Sequence, residues 1–189
     1  IYDTAVMMLR EFIREGNDSN LGFKNFDELD SAYLKIDEGI NVYYLIEDSL
    51  LRSTNPLDSH LVKLGRRIFP VYYHDQLRSA ITFDTTRTGW RPAVFDAGDI
   101  IAPYIAQKIL IATAEEVAKS FFLVEAPFVH NDLIFEHDST GDHVLPTTEL
   151  KRELGSDYPT TAPMALIKPI DKNDFLDHLK QHMRKVHGN

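Results

Sequence analysis

Residues 68–95 read IFPVYYHDQLRSAITFDTTRTGWRPAVF, and this stretch decides the fold class of the chain. Aromatic and β-branched residues dominate three short runs, which is the composition typical of β-strands. Two groups of turn-forming residues, His74-Asp75-Gln76 and Arg87-Thr88-Gly89, separate the runs. Because such short connections join neighbouring antiparallel strands, the stretch predicts a three-stranded β-meander.

The second strand of this meander alternates in polarity. Leu77, Ile81 and Phe83 fall on one face of the strand, whereas Thr82 and Asp84 fall on the other. This pattern is typical of a sheet that has one face against a core and one face in water. We therefore expect one face of the meander to be wet.

Proline and tryptophan place further limits on the meander. Pro70 and Pro92 cannot donate a hydrogen bond to a neighbouring strand, so each strand that contains one is expected to be an edge or to be bulged there. Trp90, the only tryptophan, is expected to pack on a face of the sheet. Gly89 is available for a turn conformation with positive φ.

Amphipathic helices are predicted at both ends of the chain. The apolar stripe of the N-terminal helix consists of Tyr2, Ala5, Val6, Met8, Leu9, Phe12 and Ile13. Asp171 is expected to cap the C-terminal helix. The apolar face of that helix consists of Phe175, Leu179 and Met183. Asn25 and Glu28 form a capping-box pattern that predicts a short helix containing Tyr33. Further helices are expected over residues 99–110 and 113–119, strands over 40–46 and 121–124, and a hairpin over 128–145.

Helices around short, turn-linked strands predict an α+β fold with an antiparallel β-meander sheet. We expect the N- and C-terminal amphipathic helices to pack on this sheet, and the chain to form one globular domain over residues 1–189. The outline is cystatin-like or PAS-like. Since such folds host many functions, the outline carries no functional conclusion.

Composition limits the possible partners. The chain has a net charge of −9, which argues against a nucleic acid as the main partner, because such proteins concentrate Lys and Arg. The absence of cysteine excludes disulfides, zinc–thiolate sites and thiol catalysis. No apolar run reaches the roughly 18 residues of a spanning helix, so we expect no membrane span. The start at Ile1 fits either a removed signal peptide or a truncation, and export to the periplasm is favoured over the cytoplasm.

Two pairs of adjacent tyrosines are candidates for contact with a partner. Tyr43 and Tyr44 lie in one predicted strand, and Tyr72 and Tyr73 lie in another. Adjacent strand residues point to opposite faces, so one of each pair is expected outside the core unless a second layer covers it. Tyrosine is common in protein interfaces. Together with Trp90, these residues form a candidate partner-binding set.

A hairpin rich in histidine and aspartate is the main candidate for chemistry. Its possible metal ligands are His130, Asp132, His137 and His143. Imidazole and carboxylate groups are ligands of zinc and non-haem iron. A hairpin brings His137 and His143 onto neighbouring strands, but the strand period places His137 opposite the face of His130 and Asp132. A divalent-metal site and an ordinary polar hairpin both remain open.

Two weaker groups of ionisable residues complete the candidates. Asp174, His178 and His182 follow a spacing of four residues, which fits either a metal-binding pair or a solvated helix face. Carboxylates near the meander are candidates for acid–base work, namely Asp75, Asp84, Asp96 and Asp99. The chain contains no GxSxG motif and no phosphate-binding loop.

These observations favour a non-enzymatic binding domain, of exported bacterial origin, for a protein or peptide partner. A face or an edge of the sheet, including the edges at Pro70 and Pro92, would make the contact. The alternative is a metal-dependent, hydrolase-like enzyme that uses the hairpin at residues 130–143 and a divalent metal as its only cofactor. The first interpretation predicts scattered histidines, and the second requires them to converge.

Overall fold

The computed structural model describes residues 2–16, 21–36, 39–52, 57–97, 120–129, 131–138, 141–145, 152, 154 and 170–187. The fold is mixed α+β, with a large, mostly antiparallel open sheet and a few helices. The chain divides into two compact units. The first unit comprises Ile1–Asn41 and Gly65–Leu110, and the second comprises Val42–Leu64 and Ile111–Asn189. A single globular domain stays a prediction.

The described helices are α1 (Tyr2–Arg14), α2 (Phe26–Asp30), α3 (Glu47–Arg52) and α4 (Lys172–His187). The strands are β1 (Tyr33–Leu34), β2 (Ile40–Leu45), β3 (Leu61–Tyr73), β4 (Gln76–Thr86), β5 (Gly89–Ala97), β6 (Ser120–Ala126), β7 (Asn131–Asp138), β8 (Gly141–Val144) and β9 (Ile170–Asp171). Short 3-10 turns cover Leu57–His60 and Pro127–Val129. None of the described helices is long and apolar enough to cross a lipid bilayer.

The meander predicted from the sequence is present in the first unit. Strands β3, β4 and β5 pair antiparallel, and the register sets Phe69 opposite Ile81 and Ile81 opposite Phe95. The β3–β4 turn consists of His74 and Asp75, both with positive φ, as a two-residue hairpin turn requires. These contacts confirm the predicted strands and the first turn.

Register shifts occur near both prolines of the meander. Pro92 pairs with Phe83 and Val94 pairs with Thr82. The residue between them, Ala93, is therefore the extra residue of a bulge in β5. Strand β5 also lies at the end of the strand order, which confirms the expected edge or bulge at Pro92. A second shift falls between Val71 and Tyr72, but its extra residue is Arg78 of β4. Strand β3 lies between β4 and β2, so the expected edge at Pro70 is wrong.

Helix α1 shares a buried cluster with one face of the meander. Ala5, Val6 and Leu9 are buried with Phe69 and Phe83. The rings of Phe69 and Phe83 meet edge to face with their centroids 5.2 Å apart, a favourable arrangement for aromatic pairs. Helical periodicity therefore identifies this buried stripe correctly.

Three expectations for the first unit are wrong. Met8 was assigned to the apolar stripe of α1 but is exposed. Thr82 was expected on a wet face, yet it is only 5% exposed and every residue from Ser79 to Phe83 is buried. Threonine reads as polar in a pattern although part of its side chain is a methyl group that packs. Tyr33 was assigned to a helix, but α2 ends earlier and Tyr33 begins β1.

In the second unit, β6, β7, β8 and β9 pair antiparallel in that order, and β2 lies beside β6. One buried cluster joins these strands to α4, and it includes Leu133, Phe135, Val144, Phe175, Leu179 and Met183. Asp171 Oδ1 accepts a 2.8 Å hydrogen bond from the backbone N–H of Asn173, which confirms the predicted cap. The predicted helices over 99–110 and 113–119 lie outside the described residues.

Gly22 offers a test of the packing between the segment before α2 and strand β4. Its φ is +90°, and a Cβ built on it would lie 1.9 Å from the carbonyl oxygen of Arg78. Gly16 also has a positive φ but has no atom within 4 Å of such a Cβ. Gly16→Ala should therefore lower the free energy of unfolding by only about 1–2 kcal/mol through backbone strain. Gly22→Ala should cost about 3 kcal/mol or more, since a steric clash adds to the strain.

Urea denaturation of the two variants measures this difference. Equal losses in the two variants would contradict the close approach of Gly22 to β4.

Candidate functional site

A tyrosine cluster on the first unit is the better formed of two candidate sites. We define it as Tyr33, Lys35, Tyr72 and Asp75. Strand β1 pairs with β3 so that Tyr33 stands opposite Tyr72, and the two rings stack with centroids 6.1 Å apart. The Nζ atom of Lys35 lies 4.3 Å from the centroid of the Tyr72 ring, within range of a cation–π contact.

Asp75 holds this cluster together electrostatically. The Tyr33 hydroxyl donates a 2.7 Å hydrogen bond to Asp75 Oδ1, and Lys35 Nζ lies 3.3 Å from the same oxygen. The hydrogen bonds from Tyr33 and then Lys35 lower the pKa of the Asp75 carboxyl. In turn, the bond to the carboxylate raises the pKa of the Tyr33 phenol. At neutral pH the cluster therefore holds a neutral phenol against a charged carboxylate.

Tyr33 presents part of this cluster to solvent. Its side chain remains 38% exposed, whereas Tyr72 beneath it is only 3% exposed. The exposed surface of the cluster is thus mainly the ring of Tyr33, and Tyr72 supports that ring from below.

The other predicted partner-binding residues lie in different environments. Tyr73 stacks on His74 with centroids 4.1 Å apart. Trp90 is partly buried against the α1 cluster, and its contact with the sheet is as expected. In the second unit, Tyr43 packs edge to face on Phe122, whereas Tyr44 is exposed. The pair 43 and 44 thus has one member outside the core.

Sequence reasoning missed Tyr33 as a member of the site. Strand β1 has only two residues, and its partner strand is distant in the chain. A two-residue strand has no measurable period, so no local pattern announces it. The only indication in the sequence was that Tyr33 and Lys35 stand two residues apart, as do side chains on one face of a strand.

The histidine-rich hairpin of the second unit is the other candidate site. In the β7–β8 register, His137 stands opposite Asp142, and His143 stands opposite Glu136. Because 136 and 137 are neighbours on one strand, His137 and His143 project from opposite faces of the hairpin. Among the described residues, no group of three metal-capable side chains comes together.

Asp142 organises one face of this hairpin. Its Oδ1 lies 2.5 Å from His137 Nδ1, and its Oδ2 accepts a 2.6 Å hydrogen bond from Lys172 Nζ at the start of α4. Burial works to raise the pKa of the Asp142 carboxyl, but the bonds from Lys172 and His137 outweigh it, and the pKa lies below its usual value. The group is therefore an ionised acceptor that ties the hairpin to α4.

The remaining candidate metal ligands and acid–base residues lie in separate environments or outside the described residues. His130 and Asp99 lie outside the described residues, as does the side chain of Asp132. Asp84 accepts a hydrogen bond from Arg66 at 2.9 Å. Burial raises the pKa of Asp96. On α4, Asp174 is exposed, whereas His178 and His182 are half-buried. A metal role for the hairpin stays a prediction.

Comparison of the chain with protein-family models, with curated proteins and with solved structures gave no match. The functional argument therefore depends on the geometry of the described residues.

The Asp142 interactions predict a particular pH dependence. Because the pKa of Asp142 is lower when folded, its contribution is present above the unfolded-state value of about 3.9 and is lost as pH falls through the folded value. Asp142→Asn should lower the free energy of unfolding at pH 7 by about 1.5 kcal/mol or more. The difference from the wild type should shrink below pH 4. Asp177→Asn, an exposed change on α4, is the control and should have little effect at either pH.

Thermal or urea unfolding between pH 2.5 and 7 makes this measurement. A loss for Asp142→Asn that does not vary with pH would contradict the assigned ion pairs.

The hairpin register also predicts the behaviour of added metal. His137 and His143 face opposite ways, so they cannot hold one ion together. In zinc titrations monitored by calorimetry, we expect His137→Ala and His143→Ala each to leave the affinity for zinc unchanged. Tight binding of one equivalent that both variants abolish would favour the metal-dependent alternative.

Proposed function

We propose that the protein is a non-enzymatic binding domain for a protein or peptide partner, and that the tyrosine cluster of the first unit makes the contact. The observation that carries the proposal is Tyr33. Its ring is partly exposed, yet its orientation is already held by the stack on Tyr72 and by the bond to Asp75.

Such preorganisation favours binding. A free tyrosine loses rotational freedom when a partner covers it, and that loss subtracts from the affinity. Because its contacts already restrict the Tyr33 side chain in the free protein, less rotational freedom is lost when a partner binds. Tyrosine also offers a large area with only two side-chain torsions, which suits it to recognition.

The surroundings of Tyr33 resemble a small interface. Ile36, three residues further along the chain, is also exposed. Lys35 and Asp75 supply charges of both signs at the border. An apolar centre with a polar rim is the usual arrangement of a protein–protein contact.

The ionisation of the cluster supports binding over acid–base chemistry. A catalytic acid or base works best when its pKa lies near the operating pH. The pKa of Asp75 is lowered and that of Tyr33 is raised, so both groups move away from neutrality. Both groups are better suited to hold a shape than to transfer a proton.

The finer description of the fold belongs to the same proposal. A cystatin-like or PAS-like sheet with helices packed at both ends would present a sheet edge and a turn to a partner. Contacts of α1 with the meander and of α4 with β7 and β8 support that outline.

Selection of peptides from a displayed random library tests the proposal. Peptides enriched on the wild-type protein are titrated by fluorescence anisotropy against Tyr33→Ala and against Tyr44→Ala, an exposed tyrosine of the second unit. We expect Tyr33→Ala to weaken binding at least about tenfold, the loss typical of a central aromatic contact, and Tyr44→Ala to leave it unchanged. Equal affinity of the wild type and Tyr33→Ala would contradict the proposal.

A further inference from the structure

We propose that the β5 edge of the first unit binds an acidic, extended peptide segment of a partner protein. This inference rests on the proposed binding function and names the chemistry of the partner. Three observations support it: the position of β5 in the sheet, the two arginines before and near its start, and the exposed apolar side chains that follow them.

Among the strands that the structure describes, β5 stands at the end of the order and pairs with β4 on one side. An end strand offers backbone N–H and C=O groups to an added strand. Extended peptides commonly use such an edge, where main-chain bonds supply affinity and alternate side chains supply specificity.

The charge of this edge differs from that of the chain. Arg87 in the β4–β5 turn and Arg91 on β5 are both exposed, and neither has an ion-pair partner among the described residues. Arg91 stands opposite Asp84, whose carboxylate already accepts a hydrogen bond from Arg66. Around β5 there are thus three guanidinium groups, of Arg66, Arg87 and Arg91, for the two carboxylates of Asp84 and Asp96, within a chain of net charge −9.

This local excess of positive charge selects a carboxylate partner. Guanidinium groups bind carboxylates through two parallel hydrogen bonds, which adds direction to the charge attraction. An acidic segment would therefore pair with Arg91 and Arg87, although the net charge of the whole protein opposes its approach at long range.

An apolar contact lies on the same face as Arg91. Arg91 pairs with Asp84 and Val94 pairs with Thr82, and residues 82 and 84 share one face of β4. Val94 is 45% exposed, and Ala93 beside it is also exposed. The edge therefore fits a segment in which an acidic and an apolar residue stand two positions apart, so that both side chains lie on one face of the added strand.

Pro92 and the extra residue Ala93 limit the length of such a segment. They interrupt the edge between Arg91 and Val94, because proline has no N–H and the shift disturbs the register. Interruptions of this kind discourage open-ended pairing between copies of a chain. They leave room for a short partner strand.

A designed probe tests the inference. It is a fluorescent ten-residue peptide in which glutamate and valine alternate along one face of the strand, with threonine at the positions between them, compared with a peptide that has lysine in place of glutamate. In anisotropy titrations of the full chain, we expect only the glutamate peptide to bind. The double variant Arg87→Glu/Arg91→Glu should weaken it by about tenfold or more.

Arg184→Glu, a change of an exposed arginine on α4, is the charge-matched control and should weaken binding less than about twofold. Circular dichroism of every variant checks the fold. Amide exchange should slow in β5 when the probe binds, since an added strand protects its N–H groups.

Equal binding of both peptides, failure of the glutamate peptide to bind, or equal affinity of the double variant and the wild type would each overturn the inference.

The two proposals can fail separately. If the double arginine variant loses affinity for the glutamate peptide while Tyr33→Ala retains it, the result supports binding at the β5 edge but not at the tyrosine cluster. Display peptides that depend on Tyr33, together with failure of the glutamate peptide to bind, would overturn the inference and leave the binding function in place.

Discussion

The carboxylate of Glu28 is the constraint on which the first unit depends most. It accepts a 3.0 Å hydrogen bond from the backbone N–H of Lys24 and bonds at 3.1 and 3.3 Å from the guanidinium of Arg78 on β4. The bond from Lys24 lowers the pKa of Glu28 most, burial opposes the shift, and Arg78 adds to it. One buried ion pair thus joins the start of α2 to the middle of the meander, and removal of either partner would leave a charge without compensation.

The position of Tyr33 follows from that ion pair. With the start of α2 held on β4, the guanidinium of Arg10 on α1 donates to three carbonyls at and just after the end of α2, those of Leu29, Asp30 and Ala32. Both ends of α2 are then tied to packed elements, and the chain leaves it directly into β1. The exposed ring at the start of β1 is therefore placed by contacts that lie far from its own surface.

Local patterns in the sequence explain the parts of the fold that were predicted correctly. The Asn25–Glu28 capping pattern, the turn after Tyr73 and the apolar face of α4 each depend on residues close together in the chain. The burial of Thr82 and the pairing of β1 with β3 depend on distant segments, and no local period records them. The same reason hides the tyrosine cluster, since Asp75 was read as one of several candidate acids and Tyr33 as a helical residue.

Two carboxylates with similar partners show how burial separates structure from recognition. Asp75 bonds a tyrosine hydroxyl and a lysine, and Asp142 bonds an imidazole and a lysine. The side chain of Asp75 is 83% exposed, so its bonds add little to the free energy of unfolding, and their effect is to orient the exposed ring of Tyr33. The side chain of Asp142 is only 12% exposed and that of Lys172 is 19% exposed, so their ion pair is largely shielded from water and its loss costs more than that of an exposed pair. A ring that must be oriented at the surface for a ligand needs the first arrangement, and a hairpin that must stay packed on its helix needs the second.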